Sequence, residues 1–373
     1  MGRKLGGLME AEMAEQPAAL QGLLDRRADL AGLVETIAPD ELRGIAFLAR
    51  GSSDNAALLG RYAVELLTGL PTTLVAPSIA TRYGGSYERF RGFLLVALSQ
   101  SGRTPEIATV SQRFRADGVP ALGVTNDPAA PLADAVDGIF DLRVGQERAI
   151  PATKTVTAQM LTLVLLADVI TDLITDVPTD VPTDVTAERG TAARIDAGSV
   201  RSETAALPAV IATILRDSGS VSAAADRLAD VTRMAVIGRG PTFPAALETA
   251  LKLQETTGSL AHGYSAADYQ HGPIATAASG TVPVLLAGGQ DGDLRELQRR
   301  LTQLRQPFAV LGELGELSQG REDRDVVTSS AAADLCRAIE ATVRGQQLAL
   351  MLCRRRGIDP DSPANLNKVT ATN

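Results

Sequence analysis

Cysteine, histidine and excess positive charge are scarce in this sequence. The two cysteines, Cys336 and Cys353, stand apart in a chain of 373 residues. They form no metal-ligand pattern, and a secreted disulfide scaffold would carry more. The two histidines, His262 and His271, lack the tight spacing of a zinc motif, so no metal site is expected. Lys and Arg total 36 against 44 Asp and Glu, a formal net charge of −8. A nucleic-acid partner needs a concentrated basic surface, and the longest basic run here is Arg354-Arg355-Arg356. The stretch MGRKLGGLMEAEMAEQ lacks the apolar segment of a signal peptide. The longest apolar run, Met160–Ile170, is interrupted by Thr162 and Asp168 and reads as too short to span a bilayer. These absences predict a cytoplasmic protein with neither a nucleic-acid nor a membrane partner.

What is present is an alternation. Apolar residues make up 45% of the chain, enough for large cores in two globular units. Leu20, Leu23, Leu24, Leu30, Leu33 and Val34 recur at helical spacing. Strands are predicted at Ile45–Leu48, Leu74–Ala76, Phe93–Leu98 and Ala121–Thr125. Helices are predicted at Asn55–Leu67 and Pro105–Arg115. Strands alternating with helices imply βαβ units and a parallel sheet. Residues 171–185 read TDLITDVPTDVPTDV. Pro178 and Pro182 oppose a helix there, and a linker is expected.

A second repeat is long-range. Ile45–Gly69 and Met234–Gly258 align without gaps at an offset of 189, and 8 of 25 positions are identical. Both read strand, glycine turn, helix, which implies a duplicated α/β unit. The loops after the third strands have diverged. Ser99-Gln100-Ser101-Gly102-Arg103-Thr104 follows Phe93–Leu98. Its counterpart, Gly288-Gly289-Gln290-Asp291-Gly292-Asp293, has lost the hydroxyls and gained two carboxylates. A glycine-containing loop between strand and helix offers free amides to an anion, and Ser and Thr add donors. Ser52 and Ser53 follow the first strand in the same way. Simple helix capping accounts for one such hydroxyl, not for five. The first copy is therefore the expected anion site. The loop lacks the Gly-Lys-Ser/Thr ending of a Walker A motif, and no cofactor is expected.

Glu248, Lys252 and Glu255 are spaced by four and three and share a helix face. Glu255 stands nearest the irregular stretch that carries His262 and His271. A carboxylate and an imidazole can divide proton transfer between them. Lys368, in the polar tail, reads from spacing alone as a solvated lysine.

Taken together, these residues resemble the SIS (sugar isomerase) family. That family includes the isomerase half of glutamine–fructose-6-phosphate aminotransferase and free-standing glucosamine-6-phosphate deaminase-like enzymes. The matching motifs are Glu15-Gln16-Pro17, Gly51-Ser52-Ser53, Ser99–Thr104, Ala152-Thr153-Lys154-Thr155, Ala250–Glu255, His271-Gly272-Pro273 and Asn365-Leu366-Asn367-Lys368. The resemblance implies two tandem SIS subdomains, each an α/β doubly wound, flavodoxin-like parallel sheet flanked by helices. The expected division is an N-terminal helical segment to 35, subdomains at 36–170 and 201–355, a linker between them at 171–200, and an active-site tail from 356. The family also implies a homodimer with shared active sites. Carried over by position, Gly51, Ser52, Ser53, Ser99, Gln100, Ser101 and Thr104 hold the sugar phosphate, with Ile150, Ala152 and Asn367 lining the substrate. Glu255 is the base moving a proton between C1 and C2, His271 assists ring opening, and Lys368 forms a Schiff base with the open-chain sugar. Ala152 and His262 depart from the synthase, which has serine and glutamate there. No glutaminase domain is recognised, so glutamine-driven synthesis is not expected.

The implied activity is enolisation of a hexosamine 6-phosphate leading to deamination or isomerisation. Dehydration of N-acetylglucosamine 6-phosphate is the alternative, with His262 or His271 as general acid. A non-catalytic sugar-phosphate sensor is a third reading, disfavoured by the presence of Glu255, His271 and Lys368.

Overall fold

The computed structural model describes residues 4–175, 197–288, 291–314 and 330–368. Two compact units emerge, and they interleave along the chain. The described parts of Gly22–Arg143 and Gln159–Ala205 form one. Those of Met1–Gln21, Val144–Ala158 and Ala206–Thr370 form the other. For brevity they are called the early and late units.

The early unit is built on five parallel strands: β1 (Gly44–Leu48), β2 (Thr72–Leu74), β3 (Phe93–Leu98), β4 (Ala121–Thr125) and β5 (Gly138–Asp141), in the order β2-β1-β3-β4-β5. β1 and β4 are buried along their whole length, as β-rich runs covered on both faces must be. Register is fixed by pairs such as Leu48 with Ala97 and Leu98 with Val124. One face packs Leu48, Leu95 and Ala97 against Ile107, Val110 and Phe114 of the helix Pro105–Ala116. Tyr87 stacks on Phe114 with ring centroids 3.8 Å apart.

Four further parallel strands organise the late unit: β6 (Arg233–Gly238), β7 (Leu260–Ser265), β8 (Val282–Leu286) and β9 (Ala309–Leu311), in the order β7-β6-β8-β9. Val236, Val284 and Leu286 face Leu253 of the helix Thr242–Thr257 and Leu348 and Leu352 of the helix Ala331–Arg355. Ile237 and Leu285 face Tyr269, Leu294 and Leu297 on the other side. Each unit thus has the doubly wound α/β form expected of it.

Several local expectations shift. The second strand lies at Thr72–Leu74 rather than 74–76. The helix expected from Asn55 begins at Ser52, because Gly51, at φ 60°, turns the chain straight into its first turn. Residues 171–175, expected in a linker, continue the helix Lys154–Thr175, and Ala197 already opens the next helix. Between those helices the TDVP repeat, with Pro178 and Pro182, lies outside the described residues. The apolar run Met160–Ile170 belongs to the first of these helices, which is long and apolar enough to cross a membrane. The length argument against a span therefore fails. What the structure supplies is burial, since 78% of the apolar window is covered by protein.

The partition differs from the boundaries expected at 36, 171, 201 and 356. Met9 and Met13 are buried in the late unit's core, so the first helix, Gly7–Ala14, groups with the distant C-terminal half. Asp361 reinforces this by accepting the amides of Leu8 and Met9 at 2.7 and 2.9 Å.

Candidate active site

The early unit carries the hydroxyl loops at one place in its sheet. The strand order reverses direction between β1 and β3, and in open α/β sheets ligands settle beyond the carboxyl ends of the strands at such a switch point. Ser52 and Ser53 follow β1, and Ser99–Thr104 follows β3. Gly102 holds the second loop closed at φ 62°. A Cβ there would lie 2.6 Å from Ala130 Cβ and 3.0 Å from Thr125 Oγ1, so no other residue fits. The Gln100 carbonyl accepts Asn126 N at 3.0 Å and Thr125 Oγ1 at 3.3 Å, which pins the loop to the end of β4. Ser99 and Thr104 bring their hydroxyls within 3.4 Å of each other.

Capping does not account for these hydroxyls. The N-cap residues of the two helices are Gly51 and Thr104, and neither supplies a side-chain cap. The nearby arginines are already paired. Arg50 binds Glu106 at 2.9 Å and Arg103 binds Asp127 at 2.8 Å. What the loop offers an anion is therefore neutral donors and two helix N-termini, of 17 and 12 residues.

The equivalent switch point of the late unit, between β6 and β8, is already filled. Asp291, buried after β8, accepts the Gly288 amide at 3.1 Å. Arg239 pairs with Asp293 at 2.5 Å. The chain's own carboxylates hold the place where an anion would bind.

In that unit the ionisable residues instead form a buried network. Lys252, on the helix Thr242–Thr257, is 1% exposed. It lies 2.5 Å from Glu255 and 3.4 Å from buried Glu248. Burial presses its ammonium toward neutrality, but Glu248 and Glu255 more than offset this and hold its pKa above the usual lysine value. Of the three, only Glu255 reaches the surface, at 23% side-chain exposure. It is a carboxylate fixed by the buried Lys252 cation and partly open to the surface.

Sequence reading missed the next residue, Glu147, whose side chain is fully buried. It accepts Thr153 N at 2.9 Å, Thr155 N at 3.1 Å, Thr155 Oγ1 at 2.7 Å and Lys368 Nζ at 2.7 Å. Burial raises the pKa of Glu147, yet the charge and hydrogen bonds of Lys368 and the threonines outweigh it and bring it below the ordinary value. Glu12, also buried, accepts Arg148 N at 2.5 Å and Ala149 N at 3.1 Å. For Glu12 burial wins, and its pKa is raised. The signal for Glu147 was its place six residues before Thr153, visible only once the chain folds back on itself.

Two of the quoted motifs turn out to hold one another. Glu15 pairs with buried Lys154 at 2.5 Å, and Gln16 Oε1 accepts Thr157 Oγ1 at 2.8 Å. Ile150 and Ala152, half-buried, sit in the loop clamped between Glu12 and Glu147. Asn367 is exposed in the tail beside Lys368. The histidines stand elsewhere. His262 projects from the exposed face of β7, its ring 4.5 Å from that of Tyr264, and lines a pocket of about 540 Å³ with Arg233, Gln254 and Thr276. His271 ends the short helix Ala266–Gln270 and is exposed. No hydrogen bond or ion pair joins either to Glu255 among the described residues, nor does any group of residues there suit a metal ion.

Comparison with known proteins gives these features a context. The family model described as the SIS domain matches residues 41–168 and 227–307. Glutamine–fructose-6-phosphate aminotransferase of Gloeobacter violaceus is 32% identical over 96% of the chain, and the chain spans 58% of that relative's length. A structure from Silicibacter pomeroyi, of a protein proposed to be a phosphosugar isomerase, superposes with a TM-score of 0.76 at 27% identity, covering 95% of this chain and 99% of that one. Glucosamine-6-phosphate deaminase from Thermotoga maritima shares the fold with a TM-score of 0.64 at 21% identity, covering 95% and 99%.

Proposed function

Because the chain belongs to the SIS-domain family, we propose that it acts on a hexosamine 6-phosphate by C1–C2 enolisation, as a deaminase or isomerase. The observation that carries this is the Glu248–Lys252–Glu255 array, which holds one carboxylate oriented and partly open on a buried cation. A general base needs that combination of fixed direction and access.

In this reading the early unit's Ser52, Ser53, Ser99, Gln100, Ser101 and Thr104, with the Gly51 turn, bind the 6-phosphate. Ile150, Ala152 and Asn367 line the sugar. His271 assists ring opening. Glu255 removes the C2 proton next to the C1 aldehyde and leaves an enolamine. Return of the proton to C1 gives an imine at C2, and water then releases ammonia and fructose 6-phosphate. Lys368 forms the imine with the open-chain ketose when the reaction runs through it. Two copies of the chain are proposed to act together.

One observation favours a second reading, dehydration of an N-acetylated substrate. His262 faces a pocket shared with Gln254, the chain neighbour of Glu255. An imidazole there can serve as the acid that lets the C3 hydroxyl leave as water after the same C2 deprotonation.

Proton NMR in D₂O tests both. Loss of the C2 proton of glucosamine 6-phosphate, with ammonia and fructose 6-phosphate formed, supports deamination. A vinyl signal from N-acetylglucosamine 6-phosphate with the acetyl retained supports dehydration. Glu255→Gln should slow exchange by at least about 10²-fold, the usual worth of a positioned base. No exchange with either sugar overturns the enolisation reading.

A further inference from the structure

We infer that Glu147 is the positioning residue for Lys368, holding the tail amine and the Ile150–Thr155 loop to a single buried carboxylate. The inference deepens the enolisation reading, in which Lys368 carries the covalent step.

The tail supplies the first part of the argument. After Asp361, which caps the first helix, Ser362 and Ala364–Asn367 are exposed, and Asn365 turns the chain at φ 62°. Between Ser362 and Lys368, the only side chain with a hydrogen bond or ion pair among the described residues is Lys368 itself, on Glu147 at 2.7 Å. Without that contact the amine would hang from a run of exposed residues. A reacting group so tethered loses the advantage of a fixed approach, which orientation otherwise supplies.

The loop supplies the second part. The same carboxylate takes the backbone amides of Thr153 and Thr155 and both their hydroxyls. Those residues adjoin Ala152 and open the helix Lys154–Thr175. Glu147 therefore sets the distance between the proposed sugar-lining backbone and the amine. Its ionised state is the one this arrangement favours, because every partner donates.

Competitive acetylation of the ligand-free protein with acetic anhydride, read per lysine by peptide mass spectrometry, tests the pairing without any turnover. Lys4, 66% exposed, is the reference, because its ion pair with Glu10 lies at the surface and is weakened by solvent, and buried Lys154 and Lys252 report an intact fold. In the native protein Lys368 should label about tenfold more slowly than Lys4, the scale of one charge-assisted hydrogen bond. Glu147→Gln should bring Lys368 close to Lys4, and Glu147→Asp, which keeps the charge, should fall between. Equal labelling of Lys368 in native protein and Glu147→Gln overturns the inference. If Glu147→Gln loosens the fold, exposing Lys154 and Lys252, the native ratio decides alone, and Lys368 labelling as fast as Lys4 overturns it.

A second measurement reads the role in chemistry. Borohydride added with fructose 6-phosphate should reduce an imine to a stable secondary amine at Lys368. The adduct should fall about tenfold in Glu147→Gln and return in part in Glu147→Asp. Undiminished trapping in Glu147→Gln overturns the positioning role. No adduct in the native protein counts against the sugar-phosphate reading instead, while the acetylation ratio still judges the pairing.

Discussion

At the scale of single residues, two buried glutamates show how neighbours decide ionisation. Glu147 and Glu12 both pay for burial, but Glu147 has a lysine and four donors from two threonines, whereas Glu12 has two backbone amides and the repulsion of Glu147. Their pKa values move apart from a common ordinary value of 4.5. The consequences for stability have opposite signs. Glu147, lowered, contributes stability that is complete above 4.5 and is lost as pH falls through its folded value. Glu12, raised, binds its proton more tightly when folded, so ionising it costs stability as pH rises from 4.5 through its folded value. Glu12→Gln should therefore raise the urea midpoint at pH 8 relative to native protein and leave it unchanged near pH 4. Glu147→Gln should lower the midpoint at pH 8, with the deficit shrinking in acid. Midpoints at the two pH values read both, and matching pH trends in the two variants would sink the argument.

Elements tell a different story about what the chain reveals in advance. β3 and β4 were legible to the residue, because a parallel strand covered on both faces is a continuous apolar run. β2 was misplaced because Thr72–Leu74 is a short, half-exposed edge with no such run. The two loops were legible as hydroxyls at strand ends, and Glu255 as the last of three ionisable residues spaced by four and three on one helix face. Glu147 was not, since its charged partner, Lys368, lies in the tail, 221 positions away. Helix contact is equally silent in sequence. A Cβ on Gly345 would lie 2.0 Å from Thr249 Oγ1, so the helices Thr242–Thr257 and Ala331–Arg355 meet only because residue 345 has no side chain. Gly345→Ala should destabilise by about 1–3 kcal/mol through overpacking, seen as a lower thermal midpoint. Adding Thr249→Ala should return part of the loss, because the two sites share one contact. An additive double variant would place the strain elsewhere.

For the molecule as a whole, duplication sets the terms of the proposal that one half binds the phosphate and the other does not. Arg50 and Arg239 are equivalent across the repeat, and each is paired to a carboxylate in the helix after its third strand. The scaffold and its ion pair were kept in both copies. The loop contents diverged, with hydroxyls around Gly102 in the early unit and Asp291 seated on the Gly288 amide in the late one. A phosphate competing for that amide would displace a buried carboxylate already in place and meet its negative charge. Amide hydrogen exchange should therefore respond to inorganic phosphate on one side alone. Residues 52–53 and 99–104 should slow as their amides find an acceptor, while Gly288 and residues 291–293 keep their rates. Because the donors in the early loop are neutral and both nearby arginines are paired, added salt should weaken this protection far less than it would at a cluster of free cations. Slowing at Gly288, or none at 99–104, would mean that the divergence of the two loops has nothing to do with anion binding.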